Sequence, residues 1–131
     1  MENLLRATLI NWLRSDPALA GINAIEEESP LAVSPPWLGL AASGSIDWST
    51  KDRRGLEVRL AMELETRTDD PIEDAEIVQA IETRIANLPR SQDGFELASS
   101  QFQRARSERR PNNLRGVLLE YRFRILDPDT E

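Results

Sequence analysis

The chain has 131 residues and a mass of 14.8 kDa, with 40% hydrophobic and 30% charged residues, a composition that supports one folded core and excludes a disordered polymer. Its 23 acidic and 16 basic residues give a formal charge of −7, which argues against indiscriminate phosphate binding by the whole surface but leaves room for a local basic patch. Cysteine and histidine are both absent, which removes disulfides, thiolate zinc sites, cysteine nucleophiles and histidine acid–base chemistry.

In the amino-terminal segment Leu5, Leu9, Trp12 and Leu13 recur three and four residues apart, which predicts a helix over residues 2–15 that Asp16-Pro17 ends. The opening MENLLRATL carries Glu2 and no basic leader, so it does not read as a secretory signal. No apolar run approaches the roughly 18 residues of a membrane span. A soluble protein made inside the cell is the expectation. Residues 22–34 have no clear period, and Glu26, Glu27 and Glu28 read as a solvated edge. Pro35-Pro36 is a stiff entry to a short buried strand, Trp37 to Ala42, with Trp37 expected in the core. Gly44 to Gly55 is polar and reads as a long loop, in which Trp48 is either a lid or an interface anchor.

The clearest strand follows: Leu56, Val58, Leu60, Met62 and Leu64 alternate with Glu57, Arg59, Ala61, Glu63 and Glu65. Asp70-Pro71-Ile72-Glu73 combines an N-cap, a first-turn proline and a capping-box glutamate. It opens a helix with the stripe Asp74, Ile77, Ile81, Ile85 and Leu88, stopped by Pro89. Phe95, Leu97 and Phe102 predict a strand whose broken register implies a bulge. Ser107 to Asn113 reads as a turn, and Val117, Leu119, Tyr121, Phe123 and Ile125 predict a second alternating strand. The expected fold is α+β: a single mainly antiparallel sheet of about four to five strands, packed on one face by two helices. One domain over residues 1–126 and a short acidic tail at 127–131 are expected.

Catalytic readings are weak. Glu57, Glu63 and Glu65 share one strand face, as magnesium-binding carboxylates of a nuclease would, but such alternation is ordinary on a wet strand face. Lys51, the one lysine, lies in the loop, away from them. Asp69-Asp70 and Glu73-Asp74 suit helix capping and lack the spacing of a calcium loop. No cofactor or metal is expected, and no enzyme activity.

The charge distribution is more informative. Arg104, Arg106, Arg109, Arg110, Arg115, Arg122 and Arg124 stand against five acidic residues, giving residues 101–131 a charge of +2 while residues 1–100 carry −9. Such a cluster suits a solvated strand face, a nucleic-acid groove or a basic interface for an acidic partner. No aromatics interleave with these arginines on the wet face, which disfavours base stacking. A chain with one acidic and one basic flank can also dock head to tail on its own copies, and such contacts close into rings when the rotation permits.

An amino-terminal helix ending in Asp16-Pro17-Ala18-Leu19, then Pro35-Pro36-Trp37-Leu38-Gly39-Leu40, a polar loop, the strand at Leu56, the helix at Ile72 and the closing Leu114-Arg115-Gly116-Val117 strand form a familiar order. It resembles the tail-terminator and tail-completion proteins of long, non-contractile-tailed phages and gene transfer agents. The resemblance implies a structural protein that forms a ring, hexameric in this family, which caps the tail tube, ends its polymerisation and joins tail to head. A head–tail connector or stopper ring of the neck is the neighbouring alternative. The implied partners are other copies of the chain, the major tail tube protein and a connector or stopper, with DNA passing through the lumen. The implied place is the tail–neck junction of a virion made in the bacterial host cytoplasm. Expected interface residues are Arg104, Arg106, Arg109, Arg110, Arg115, Arg122 and Arg124, with Asp47, Trp48, Lys51, Arg53 and Arg54 of the loop.

Overall fold

The structure, a computed structural model, describes residues Met1–Pro128. In chain order it forms α1 (Glu2–Arg14), β1 (Ala24–Glu26), β2 (Trp37–Asp47), β3 (Gly55–Arg67), α2 (Pro71–Ala86), β4 (Ser91–Gln92), β5 (Phe95–Arg109) and β6 (Leu114–Leu126). Helix α1 buries Leu5, Leu9, Ile10 and Leu13. Its Trp12 is only half-buried and locks the helices together instead. The Trp12 indole donates to the Arg84 carbonyl at 2.7 Å, and the Arg84 guanidinium stacks 3.4 Å above the ring.

Helix α2 starts as its signals require: Pro71 occupies the first turn and the Asp70 carboxylate accepts from the Ile72 amide at 3.0 Å. The expected capping box is altered. Glu73 accepts the Thr68 hydroxyl at 2.8 Å, and the Thr68 oxygen accepts from the Asp70 amide in its place.

The strands form one sheet in the order β1-β2-β3-β6-β5-β4. Six strands stand where about four to five were expected, and the sheet is mixed, because β1 runs parallel to β2 while the other pairs are antiparallel. The extra strands are three-residue β1 and two-residue β4 at the edges, too short to show any period in sequence. Bulges between Leu40 and Ala42 in β2, and at Leu97/Ser99 and Phe102/Arg104 in β5, break the register and curl the sheet into a half-barrel. The Leu97/Ser99 bulge, which turns Phe102 to the side of Leu97 and opposite Tyr121, is the break its sequence position implied.

Both helices lie on one face. The core combines the α1 stripe and Ile81 and Ile85 of α2 with Leu38, Leu40, Val58, Leu60, Met62, Leu64, Val117, Leu119, Phe123 and Ile125. Each of these strand residues would bring roughly 1.5–3 kcal/mol from burial.

Two polar stretches are strand rather than loop. Residues 44–47 continue β2, leaving 48–54 as the connection, and 107–109 continue β5, leaving a turn at 110–113. The cause is exposure: Ala41–Asp47 and Gln101–Arg109 are exposed, so neither needs the alternation that betrays a half-buried strand. Asn112 and Asn113 turn the chain in the left-handed region, with φ of 64° and 61°, which asparagine tolerates better than most residues. Of the expected acidic tail, Asp127 is held by its amide to the Arg54 carbonyl at 2.8 Å, and residues 129–131 lie outside the described residues.

Candidate assembly surface

The face opposite the helices carries the charge. Pairing across β3, β6 and β5 places Glu57 beside Arg124 and Ser99, Arg59 beside Arg122 and Gln101, Ala61 beside Glu120 and Arg104, and Glu63 beside Leu118 and Arg106. Opposite charges meet across strands at Glu57–Arg124 and Glu120–Arg104, the arrangement that stabilises a sheet face, while the like-charged neighbours Arg59 and Arg122 both lean on Glu57. Arg104 pairs with Glu120. Glu57, only 7% exposed, receives the Arg124 guanidinium at 3.1 Å, with Arg59 at 3.5 Å and Arg122 at 3.9 Å. Burial raises the Glu57 pKa, but the Arg124 hydrogen bond and the charges of Arg59, Arg124 and Arg122 outweigh it, and the net shift is downward.

Arg110 reaches from the β5–β6 turn across this face. It meets Glu63 at 2.6 Å, Glu65 at 2.7 Å and Glu108 at 3.1 Å, over Gly116, where a Cβ would lie 2.4 Å from the guanidinium carbon. Burial works against its charge, yet the three carboxylate hydrogen bonds prevail and raise its pKa. The chain between β1 and β2 crosses the same face: a Cβ on Gly39 would come within 2.9 Å of the Glu28 carbonyl oxygen, and Ser29 bonds Glu63 at 3.2 Å. Arg115 points to the helix side and holds the buried Asp74 at 2.8 Å.

The twelve residues expected at an interface thus fall into separate groups. Asp47, Trp48, Lys51, Arg53 and Arg54 lie at the β2–β3 tip, near Arg124, whose guanidinium sits 5.2 Å from the Trp48 ring centroid. Arg109, Arg110 and Arg115 lie at the β5–β6 tip, about 40 Å away along the sheet. Arg104 and Arg106 occupy the β5 strand between, and Arg122 stands on β6 beside Arg59 and Gln101. Arg53 is tied to Glu96 at 3.0 Å and to the Asp127 carbonyl, and Asp47 accepts the Ser49 hydroxyl at 2.6 Å. Five of the seven carboxy-terminal arginines have acidic partners within the chain; Arg106 and Arg109, both exposed, have none among the described residues. Lys51 and Arg54 are likewise exposed and without side-chain partners among the described residues.

The partners were the missed part. Glu57, Glu63 and Glu65 serve as arginine acceptors, and no cluster of three or more potential metal-binding residues gathers among the described residues. Charge alternation on the two long strands carried the signal, but it becomes informative only once those strands are known to be neighbours. The acidic Glu26–Glu28 run matters too. Through the pairs Glu26–Gly39, Gly39–Glu63, Glu63–Leu118 and Leu118–Arg106, its first residue, Glu26, lies level with Arg106 on the opposite side of the sheet; Arg14 meets Glu26 at 2.7 Å and Arg6 meets Glu27 at 3.8 Å. At one height the β1 edge carries the Glu26–Arg14 pair with Glu27 and Glu28 beyond it, and the β5 edge carries Arg106. Two to four residues further toward the β2–β3 tip, an open depression of about 620 Å³ is lined by Ala42, Gly44, Ala61, Arg59, Arg104 and Glu120.

A family model described as tail completion protein gp17 matches residues 7–126. Among solved structures, a chain of the virion of a native gene transfer agent particle superposes with a TM-score of 0.80 at 20% identity, covering 95% of this chain and 96% of its own. Another aligns with a TM-score of 0.57 at 13% identity, covering 100% of this chain and 99% of its own. Among curated proteins none matches.

Proposed function

The chain belongs to the tail completion protein gp17 family, and on that premise we propose that it is a structural virion protein whose copies close into a ring at the end of a tail tube. Six copies dock head to tail, stop tube growth and present the far side of the ring to a head–tail connector or stopper. The ring sits at the tail–neck junction, is made in the bacterial host cytoplasm and works by assembly, without catalysis or cofactor. DNA passes through its lumen, which an acidic lining keeps from adhering.

One observation carries this reading: Glu26, which opens the Glu26–Glu28 run, and Arg106 lie level on opposite edges of one sheet, and although Arg14 and Arg6 reach Glu26 and Glu27, Glu28 has no arginine partner among the described residues. A heterologous contact needs two different, complementary patches on each copy, and here they differ in sign. Arginine suits such a contact through its bidentate pairing with carboxylates. The exposed β5–β6 and β2–β3 tips, with Arg109, Lys51 and Arg54, supply surfaces for the tube and neck proteins.

Arg106→Glu/Arg109→Glu tests it. Both side chains are exposed and lack acidic partners among the described residues, so the variant keeps its melting temperature within about 2 °C. Particles carrying it fall at least tenfold in joined, filled form, and Glu28→Arg on the opposite edge restores part of the loss. Normal particle yield from the double reversal would contradict the reading.

A further inference from the structure

Strand β1 covers β2 only from Trp37 to Gly39, and β4 covers β5 only at Phe95 and Glu96. Residues Ala41–Asp47 of β2 and Ala98–Arg109 of β5 therefore present free backbone edges on opposite sides of the sheet. Free edges of this length are usually blunted by lysine, proline or an inward charge. The β2 segment Ala41-Ala42-Ser43-Gly44-Ser45-Ile46 contains none of these, and its side chains are mostly small; on the helix side Ser43 donates to Glu2 at 2.6 Å and accepts from Arg6 at 3.4 Å.

The two edges match over Ala42–Ile46 and Ser99–Arg104, short of the level where β1 covers β2. Ala42 is level with Arg104, Gly44 with Gln101, and Ser45 with Ser100 through the β3 and β6 pairings. Each edge strand also kinks, one residue step apart in height, β2 between Leu40 and Ala42 and β5 between Phe102 and Arg104. Three antiparallel steps separate β2 from β5, so the two run in opposite senses. A copy turned about an axis along the strands keeps its strand sense, and its β5 then meets the first copy's β2 as an antiparallel neighbour. Phe102, 42% exposed on the helix side, would gain cover beside the neighbour's Ser43.

Resting on the ring reading above, we infer that the copies join by edge pairing, β5 of one chain adding to β2 of the next, so that the sheets run on around the ring as one wall. Backbone hydrogen bonds supply the attachment, as in strand addition generally, and the Glu26–Glu28 and Arg106 charges set the direction in which copies add.

The chain has no cysteine, which makes disulfide trapping clean. Ser45→Cys is combined in turn with Ser99→Cys, Ser100→Cys, Gln101→Cys, Gln103→Cys and Ser107→Cys, and assembled particles are oxidised. Within one chain the two strands lie about 14 Å apart along the sheet, beyond the roughly 7 Å reach of a disulfide, so every bond formed joins two copies. The expected result is one favoured pairing that converts most of the protein into a covalent ladder ending at the closed ring, while Ser45→Cys alone stays monomeric under denaturation. A ring by electron microscopy with no ladder for any pairing overturns edge pairing and leaves the ring reading standing. Dimers from Ser45→Cys alone overturn it as well, because they mean that β2 meets β2. Absence of any ring overturns both.

Discussion

Asp74→Ala is expected to lower the unfolding free energy by about 3 kcal/mol, which for a chain of this size is roughly a 10 °C fall in melting temperature. Asp74 is one of the few buried charged groups; its carboxylate accepts the Thr66 hydroxyl at 2.6 Å and the Arg115 guanidinium at 2.8 Å. These three residues come from α2, β3 and β6, so the carboxylate fixes the first turns of α2 to the two central strands. Truncation leaves a largely buried guanidinium and a buried hydroxyl without partners, and that desolvation dominates the loss. Asp74→Asn, which retains an acceptor, loses less. Asp74→Leu/Arg115→Met recovers much of the stability, since a buried ion pair replaced on both sides by apolar groups often costs little. Denaturant titration of the single and double variants checks the coupling. Additive losses would mean that the pair does not act as a unit.

Arg110→Ala is expected to cost about 2 kcal/mol and to reduce particle assembly severalfold beyond what that destabilisation explains. The guanidinium satisfies Glu63 and Glu65 together, two carboxylates on adjacent same-face positions of β3. Without it, two negative charges face each other on a partly buried surface, a repulsion the sheet then carries alone. The same side chain also braces the β5–β6 turn against Glu108, and the exposed end of β5 carries Arg106 and Arg109. Loss of the brace frees that arm and raises the entropic cost of docking it. Glu63→Gln/Glu65→Gln in the Arg110→Ala background restores stability by removing the repulsion, but not assembly, because the arm stays unbraced. Calorimetry and particle counts on the two variants separate the effects; full rescue of assembly would show that the brace has no part in it.

The parts of this fold that bury one face were readable from the residues. The alternation from Leu56 and from Val117, the Asp70-Pro71 start of α2 and the Leu5–Leu13 stripe each report a core-facing surface directly, and each element stands there. Asp74 fell on the apolar stripe but read as a first-turn capping residue; its burial follows from partners, Thr66 and Arg115, on two other elements. What did not show was structure that faces water on both sides. The outer half of β2 and the end of β5 are held by backbone pairing with a neighbour strand, and backbone pairing leaves no hydrophobic period. The surface followed the same logic. Seven arginines were visible as a cluster in sequence, but strand register divides them, committing Arg110, Arg115 and Arg124 to carboxylates tens of residues away and leaving Arg106 and Arg109 outward. Two- and three-residue edge strands and cross-strand partners depend on long-range pairing, which composition and spacing do not encode locally.

A density map of the intact particle at the tube-to-neck junction is the most direct test. It should show one closed ring of this fold stacked on the last ring of tube protein, with the β5 edge of each copy against its neighbour's β2. Density for this chain only elsewhere in the particle, or a tube end capped by a different protein, would contradict the account.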